Sequence, residues 1–515
     1  MAARWEGVVL AKQAARAKLI APYLVGLPKG SRTIASDSLT SIDDVDDLVK
    51  LMSTGKLMAH DVISAYIKRA VEAHQKTNCL TEVFFDEALK EAARLDEHYH
   101  NHCNLIGPLH GVPITLKDQF DVEGADSTIG YVSRAFRPVR EDAALVQILK
   151  DLGAVIIAKT NLPQSIMTFT PGGSTGGEGA LLALHGSIIG YGTDIGGSIR
   201  IPSHMNGLYG LKPTSSRLPY QGVAVSTDGQ GHVPSSVGPM ARSLSTIIAV
   251  MKYTIDRRPW LLDPNVTPIN WRQGAFEEVQ SRPLTIGILV DDGIVKVHPP
   301  IERALRSLES RLRAAGHETV PWDSSGHKEC IEIMDLFYSA DGGEDIRTEV
   351  NAGGEPFIPH VETLTNLGAA ISVYDYWQLN KRKVFAQQSY NKKWNKTQGA
   401  SGRVVDIVLM PTMPHVAVPH RSCRWVGYTK IWNVLDYTAL SFPAGRVDET
   451  IDLKPENSYK PRNELDAWNW SLYDPRTMSG HPVGLQLVGR RFEEEKVLGA
   501  ALVIERLLKH KGTQF

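Results

Sequence analysis

The chain has 515 residues, 42% of them hydrophobic, with 56 basic against 57 acidic side chains. That balance excludes a basic nucleic-acid-binding stripe and an acidic tail, and the apolar content is ample for a sizeable core. The length fits two or three domains, or one large α/β domain.

Taken in chain order, residues 1–75 read as a helical segment, and MAARWEGVVLAKQAARAKLI as an ordinary N-terminal helix rather than a serine-rich transit peptide. LIAPYLVGL (19–27) is short and broken by Pro22. No apolar run reaches the roughly 18–20 residues of a membrane span. Cys79, Cys103, Cys330 and Cys423 are scattered, which suits a reducing compartment, so a cytoplasmic location is expected. Asp61 is placed to cap VISAYIKRAVEAHQK, whose Val62, Ile63, Tyr66, Ile67, Ala70 and Val71 recur at helical spacing. VPITLK (112–117) predicts a strand, AALVQILKDLG (143–153) a helix stopped by Gly153, and AVIIAK (154–159) the next strand. Such a β–α–β unit implies parallel strands in a covered sheet.

The same pattern returns further on. LTIGILV (284–290) predicts a strand, IERALRSLESRLRAAG (301–316) a helix stopped by Gly316, and VVDIVLMPTMP (404–414) a buried strand. PVGLQLVG (482–489) predicts a strand leading into the helix EEEKVLGAALVIERLL (493–508), and 449–480 reads as loop. Without repeats or low-complexity linkers, the expectation is a single large α/β domain, 76–515, with residues 1–75 packed on it. Its sheet is mixed and largely buried, with helices on both faces.

Three places carry candidate chemistry. In GTDIGGSIRIP, Ser198 follows two glycines. This is either a glycine turn or a nucleophile, with the amides of Ile195, Gly196, Gly197 and Ser198 free to meet a developing oxyanion. In GGSTGG, Ser174 lies in a glycine-rich loop. No lysine follows to make it a phosphate cradle, so it is a flexible loop or a hydroxyl relay. Lys117 ends the apolar run HGVPITLK. It either reaches the surface or is desolvated into a neutral amine that can act as base. Asp118 points to the other face of a strand and need not pair with it.

Together these segments resemble the amidase signature family. The resemblance is carried by GPLHGVPITLKD (107–118), GAVIIAKTNLPQS (153–165), GGSTGGEGALLA (172–183) and GTDIGGSIRIPSHMNGLYGLKPT (192–214), and it continues through PVGLQLVGRRFEEEKVL (482–498). PWLLDPNVTPINWR (259–272) and IWNVLDYTALSFPAG (431–445) are similar to the fungal acetamidase-type branch. The resemblance implies hydrolysis of a carboxamide C–N bond, without cofactor or metal, on a small-molecule amide. It implies Lys117 as base, Ser174 as bridging serine after a cis peptide, and Ser198 as nucleophile. It also implies Ile166 as a residue lining the substrate site. Asp194 and Arg200 read as braces of the nucleophile loop.

In one place the chain departs from that pattern: IMTFT (166–170) runs straight into PGGSTGG, where the family usually carries a longer segment. A catalytically impaired member is therefore one alternative, and an amidotransferase-type subunit delivering ammonia to a partner is another. Thr175, where serine is usual, is expected to be tolerated. His98, His100, His102 and Cys103 in HYHNHC offer zinc-type ligands, but no second cluster completes a site, and a solvated loop is expected. Trp425, Tyr428 and Trp432 fit an acyl pocket or the core equally. Homo-oligomerisation is left open.

Overall fold

The structure is a computed structural model and describes residues 4–24, 36–164, 172–455 and 459–509. Among them, eleven strands form one sheet. They are β1 (Leu80–Val83), β2 (Pro113–Lys117), β3 (Val155–Thr160), β4 (Ile189–Asp194), β5 (Tyr209–Lys212), β6 (Ser236–Ala241), β7 (Thr285–Ile288), β8 (Glu318–Pro321), β9 (Ile407–Pro411), β10 (Ala439–Arg446) and β11 (Pro482–Val488). Their spatial order is β1-β3-β2-β4-β6-β5-β10-β11-β9-β7-β8.

The sheet is mixed. β3, β2 and β4 run parallel, as do β8, β7 and β9 at the other end. Between them β6, β5, β10 and β11 pair antiparallel. The expected β–α–β unit is β2, the helix Ala144–Asp151 and β3, in register from Pro113 opposite Val155 to Lys117 opposite Thr160. Its helix stops because Gly153 takes φ +90° against His110, where a Cβ would lie 2.9 Å from the His110 Cα. Every residue of β2, β3 and β4 is buried, so side chains on both faces of these strands are covered. One cover is the helix Ala59–Thr77, which sends Val62, Ile63, Tyr66, Ile67 and Ala70 into the core.

The structure corrects three local expectations. Asp61 does not cap its helix, which begins two residues earlier. The Asp96 carboxylate accepts from the Ala59 and His60 N–H groups instead (2.6 and 2.9 Å), a cap supplied from another helix. The stretch 449–480 contains the helix Glu464–Ser471, started by Asn463, whose side chain accepts from Asp466 N. The HYHNHC histidines lie at the C-terminal end of the helix Phe85–His102, His100 and His102 in its last turn, rather than in a loop. The helix Arg4–Ile20 is held to the sheet edge by Lys12, paired with Glu82 and with Asp126 (2.7 Å), and by Arg16, which donates to the Leu80 carbonyl (2.8 Å).

Candidate active site

β2 and β4 are parallel neighbours, with Leu116 opposite Tyr191. Their C-terminal ends therefore open on the same side of the sheet, where open α/β sheets place their ligands. Lys117 ends β2 and Thr193 sits near the end of β4. The Lys117 amine is fully buried, 2.7 Å from Ser174 Oγ and 3.2 Å from Thr193 Oγ1. No described carboxylate forms an ion pair with it. Burial brings this amine down to about 7, opposed only by the charge of Asp194. Asp118 turns to the other face, where it accepts from Thr81, from Thr128 and from the Ile129 N–H.

Ser174 arrives on the loop before the helix Gly176–Ala183, after a cis Gly173–Ser174 peptide. Gly172 has φ +99°, and its Cα lies so close to the helix Arg200–Asn206 that a Cβ would meet Pro202 Cα at 2.5 Å. The two serine loops are joined directly, because Thr175 N donates to the Ser198 carbonyl (3.2 Å). Thr175 Oγ1 is buried and has no partner among the described residues.

The Ser198 turn is organised by one carboxylate. Asp194 accepts from the N–H groups of Gly197 (2.8 Å), Ile199 (3.2 Å) and Arg200 (3.4 Å), and from the Arg200 guanidinium at both oxygens. Asn433 donates to it as well (3.0 Å). Burial alone would raise this carboxyl; Arg200, then Lys212 and Asn433, outweigh burial and hold it below the usual carboxylate range. The Gly197 amide is thus committed to Asp194, and the amides of Ile195, Gly196 and Ser198 are the ones left. Gly197 has φ +130°, and a Cβ there would sit 2.4 Å from Thr429 Oγ1, which itself donates to the Gly196 carbonyl (2.6 Å). The expected bracing roles of Asp194 and Arg200 are therefore visible as geometry.

Ser198 is half-buried and faces a cavity of ≈ 640 Å³ together with Thr193, Ile195, Gln119, Leu218 and Tyr338. Asp228 and Asp263 also line this cavity, and no lysine or arginine does among the described residues.

The sequence profile of the family described as Amidase matches residues 61–170 and 167–498, which is most of the chain. This chain belongs to the amidase family. It is an amide-hydrolysing enzyme. It is 55% identical to Amidase 1 of Gibberella moniliformis, over 98% of this chain and 99% of that protein. It is 36% identical to the acetamidase of Emericella nidulans, over 98% of both. Its fold superposes on fatty acid amide hydrolase with a TM-score of 0.87 at 33% identity, covering 99% of this chain and 91% of the other. The two stretches of the profile match overlap at 167–170, in the junction expected to be shorter than is usual in the family. Ile166, expected to line the substrate site, lies outside the described residues.

Other candidates of this amidase are not part of the cavity. Tyr428 and Trp432 are buried in the core, and Tyr428 donates to the Val295 carbonyl (2.6 Å). Trp425 donates to Asp292 (2.7 Å). His98 engages Asn104 (2.9 Å), and its ring lies against His102. Sequence reasoning missed Thr193, Gln119, Tyr338 and Asn433. Gln119 lies in the turn just after β2, beyond the reach of strand periodicity, and only the turn brings it to Thr193.

Proposed function

We propose that this amidase works through a Ser-Ser-Lys triad and an acyl-enzyme. The observation that carries the reading is the Lys117 amine, wholly buried, without an ion-pair partner among the described residues, and 2.7 Å from Ser174 Oγ. A neutral amine there takes the Ser174 proton while Ser174 takes that of Ser198. Ser198 Oγ attacks the amide carbonyl carbon, and the C=O electron pair moves onto an oxyanion received by the Ile195, Gly196 and Ser198 N–H groups. Collapse breaks the C–N bond, and the leaving nitrogen receives its proton back through Ser174. Water, deprotonated by the same relay, then cleaves the Ser198 ester, freeing the carboxylic acid and the serine.

A cavity of ≈ 640 Å³ falls in the range that holds drug-sized ligands. With carboxylates but no described cation along its wall, it supports a neutral or cationic amide larger than acetamide. The test is reaction of the intact protein with a fluorophosphonate probe, alongside ammonia release from primary amides. The expected result is covalent modification at Ser198, with both signals abolished in Ser198→Ala and unaffected by chelator. A folded chain that neither labels nor releases ammonia would support the impaired alternative raised by the short 166–171 junction.

A further inference from the structure

The proposed base has a second neighbour whose own partners are fixed in direction. Gln119 Nε2 donates to the Ala224 carbonyl (2.7 Å), and Ala224 N donates back to the Gln119 backbone carbonyl (2.8 Å). A carbonyl oxygen only accepts, so the Gln119 nitrogen must face Ala224 and its Oε1 must face the other way. There Oε1 accepts the Thr193 hydroxyl (2.6 Å). Thr193 has a single proton and spends it on Gln119, so it can only offer lone pairs to Lys117, 3.2 Å away. A neutral amine has two hydrogens and one lone pair. With one N–H directed at Thr193, the lone pair is not taken up there and stays available to accept the Ser174 hydroxyl proton across the 2.7 Å contact.

We propose that Gln119 is a positioning residue for this base: through Thr193 it orients the Lys117 amine so that its lone pair meets the Ser174 hydroxyl. The assignment rests on the triad reading above and adds to it a residue outside the triad. Without the Gln119 acceptor, the Thr193 hydroxyl is free to turn and donate to Lys117, occupying the lone pair that Ser174 needs. The order of polarity, from Ala224 through Gln119 and Thr193 to Lys117, is set by a backbone carbonyl that cannot reverse.

The experiment is a mutant cycle on the full chain, read as the rate of Ser198 modification by a fluorophosphonate across about pH 5 to 9. Gln119→Met is expected to slow labelling about tenfold or more at neutral pH. On a Thr193→Val background, where no hydroxyl remains to misdirect the amine, the same change is expected to cost less than about twofold. Gln119→Glu keeps the acceptor but adds a negative charge, which favours the ammonium form. Its labelling is expected to persist where Gln119→Met loses it, a rescue that a merely structural role would not produce, with the midpoint moved to higher pH by the added charge. Melting curves exclude misfolded variants, and Gln119→Glu serves if Gln119→Met does not fold.

Equal slowing by Gln119→Met in both backgrounds would overturn the assignment, as would the absence of that rescue in Gln119→Glu. If the wild type itself fails to label, or labels no faster than Lys117→Met, the triad reading falls and Gln119 with it. A wild type that labels, beside a cycle without coupling, overturns Gln119 alone.

Discussion

Arg200→Met tests whether the Ser198 turn depends on the buried ion pair behind it. Arg200 and Asp194 are both fully buried, 2.9 Å apart, and Arg200 also reaches Asn433 Oδ1 (2.8 Å) and Gln486 Oε1 (3.3 Å). Methionine has similar reach but no charge. Removing one partner of a buried pair costs about 3–5 kcal/mol. Asp194 would keep three backbone donors and Asn433, which places the loss near the lower end, about 3 kcal/mol. For 515 residues unfolding as one unit, with an unfolding entropy of about 1 kcal/mol/K, that lowers the melting midpoint by about 3 °C. The loosened turn should slow Ser198 labelling at least tenfold, since a displaced oxyanion donor alone costs about 10²–10³ in rate.

The pH dependence follows from the sign of the shift. With Arg200 present, the folded Asp194 carboxyl lies below its unfolded range. Its contribution is therefore present at neutral pH and lost as pH falls through the acid range. Without Arg200, burial raises the carboxyl, and protonation relieves the stranded charge. The gap between variant and wild type should thus narrow as pH falls from about 7 to about 4. Thermal melts over that range and labelling kinetics at neutral pH are the assays. A variant that melts within about 1 °C of wild type at pH 7 and labels at the wild-type rate would refute the reasoning.

Labelling and hydrolysis by the wild type should rise with pH through a midpoint near about 7, where the buried Lys117 amine loses its proton. Lys117→Met should flatten that profile and lower it by about 10² or more; a wild-type rate independent of pH between about 5 and 9 would count against the base. Gly197→Ala forces a side chain into φ +130° and against Thr429; a loss of about 2–5 kcal/mol is expected in denaturant melts, and an unchanged midpoint would contradict it. Among straight-chain amides, one that buries four more methylenes than acetamide gains about 3 kcal/mol, or about a hundredfold in kcat/KM. Ammonia release measures it, and a preference for acetamide would show that the cavity is not the acyl site.

The fold was legible wherever periodicity and stop signals agreed. The unit β2–helix–β3 follows from VPITLK, from AALVQILKDLG with its Gly153 stop, and from AVIIAK, because buried parallel strands read as continuous apolar runs. The cap of the helix Ala59–Thr77 was not legible, since Asp96 belongs to another helix and only packing brings it near. The helix Glu464–Ser471 was hidden by the polar composition of 449–480. At the site, Lys117, Ser174 and Ser198 announce themselves through their motifs, and the structure brings Lys117 to Ser174 and ties the Ser174 loop to Ser198. Asn433 and Gln486 could not be read, because what joins them to the Ser198 turn is their contact with Arg200, more than two hundred positions earlier.

That last contact has a consequence for synthesis. Arg200 leaves the ribosome long before Asn433 and Gln486, so until those residues follow, its turn lacks two of the side chains that hold it. A nascent chain already carrying both serines and the lysine is thus expected to lack hydrolase activity. Activity should appear only once the C-terminal strands have threaded into the middle of the sheet, so that the catalyst is armed by its own completion.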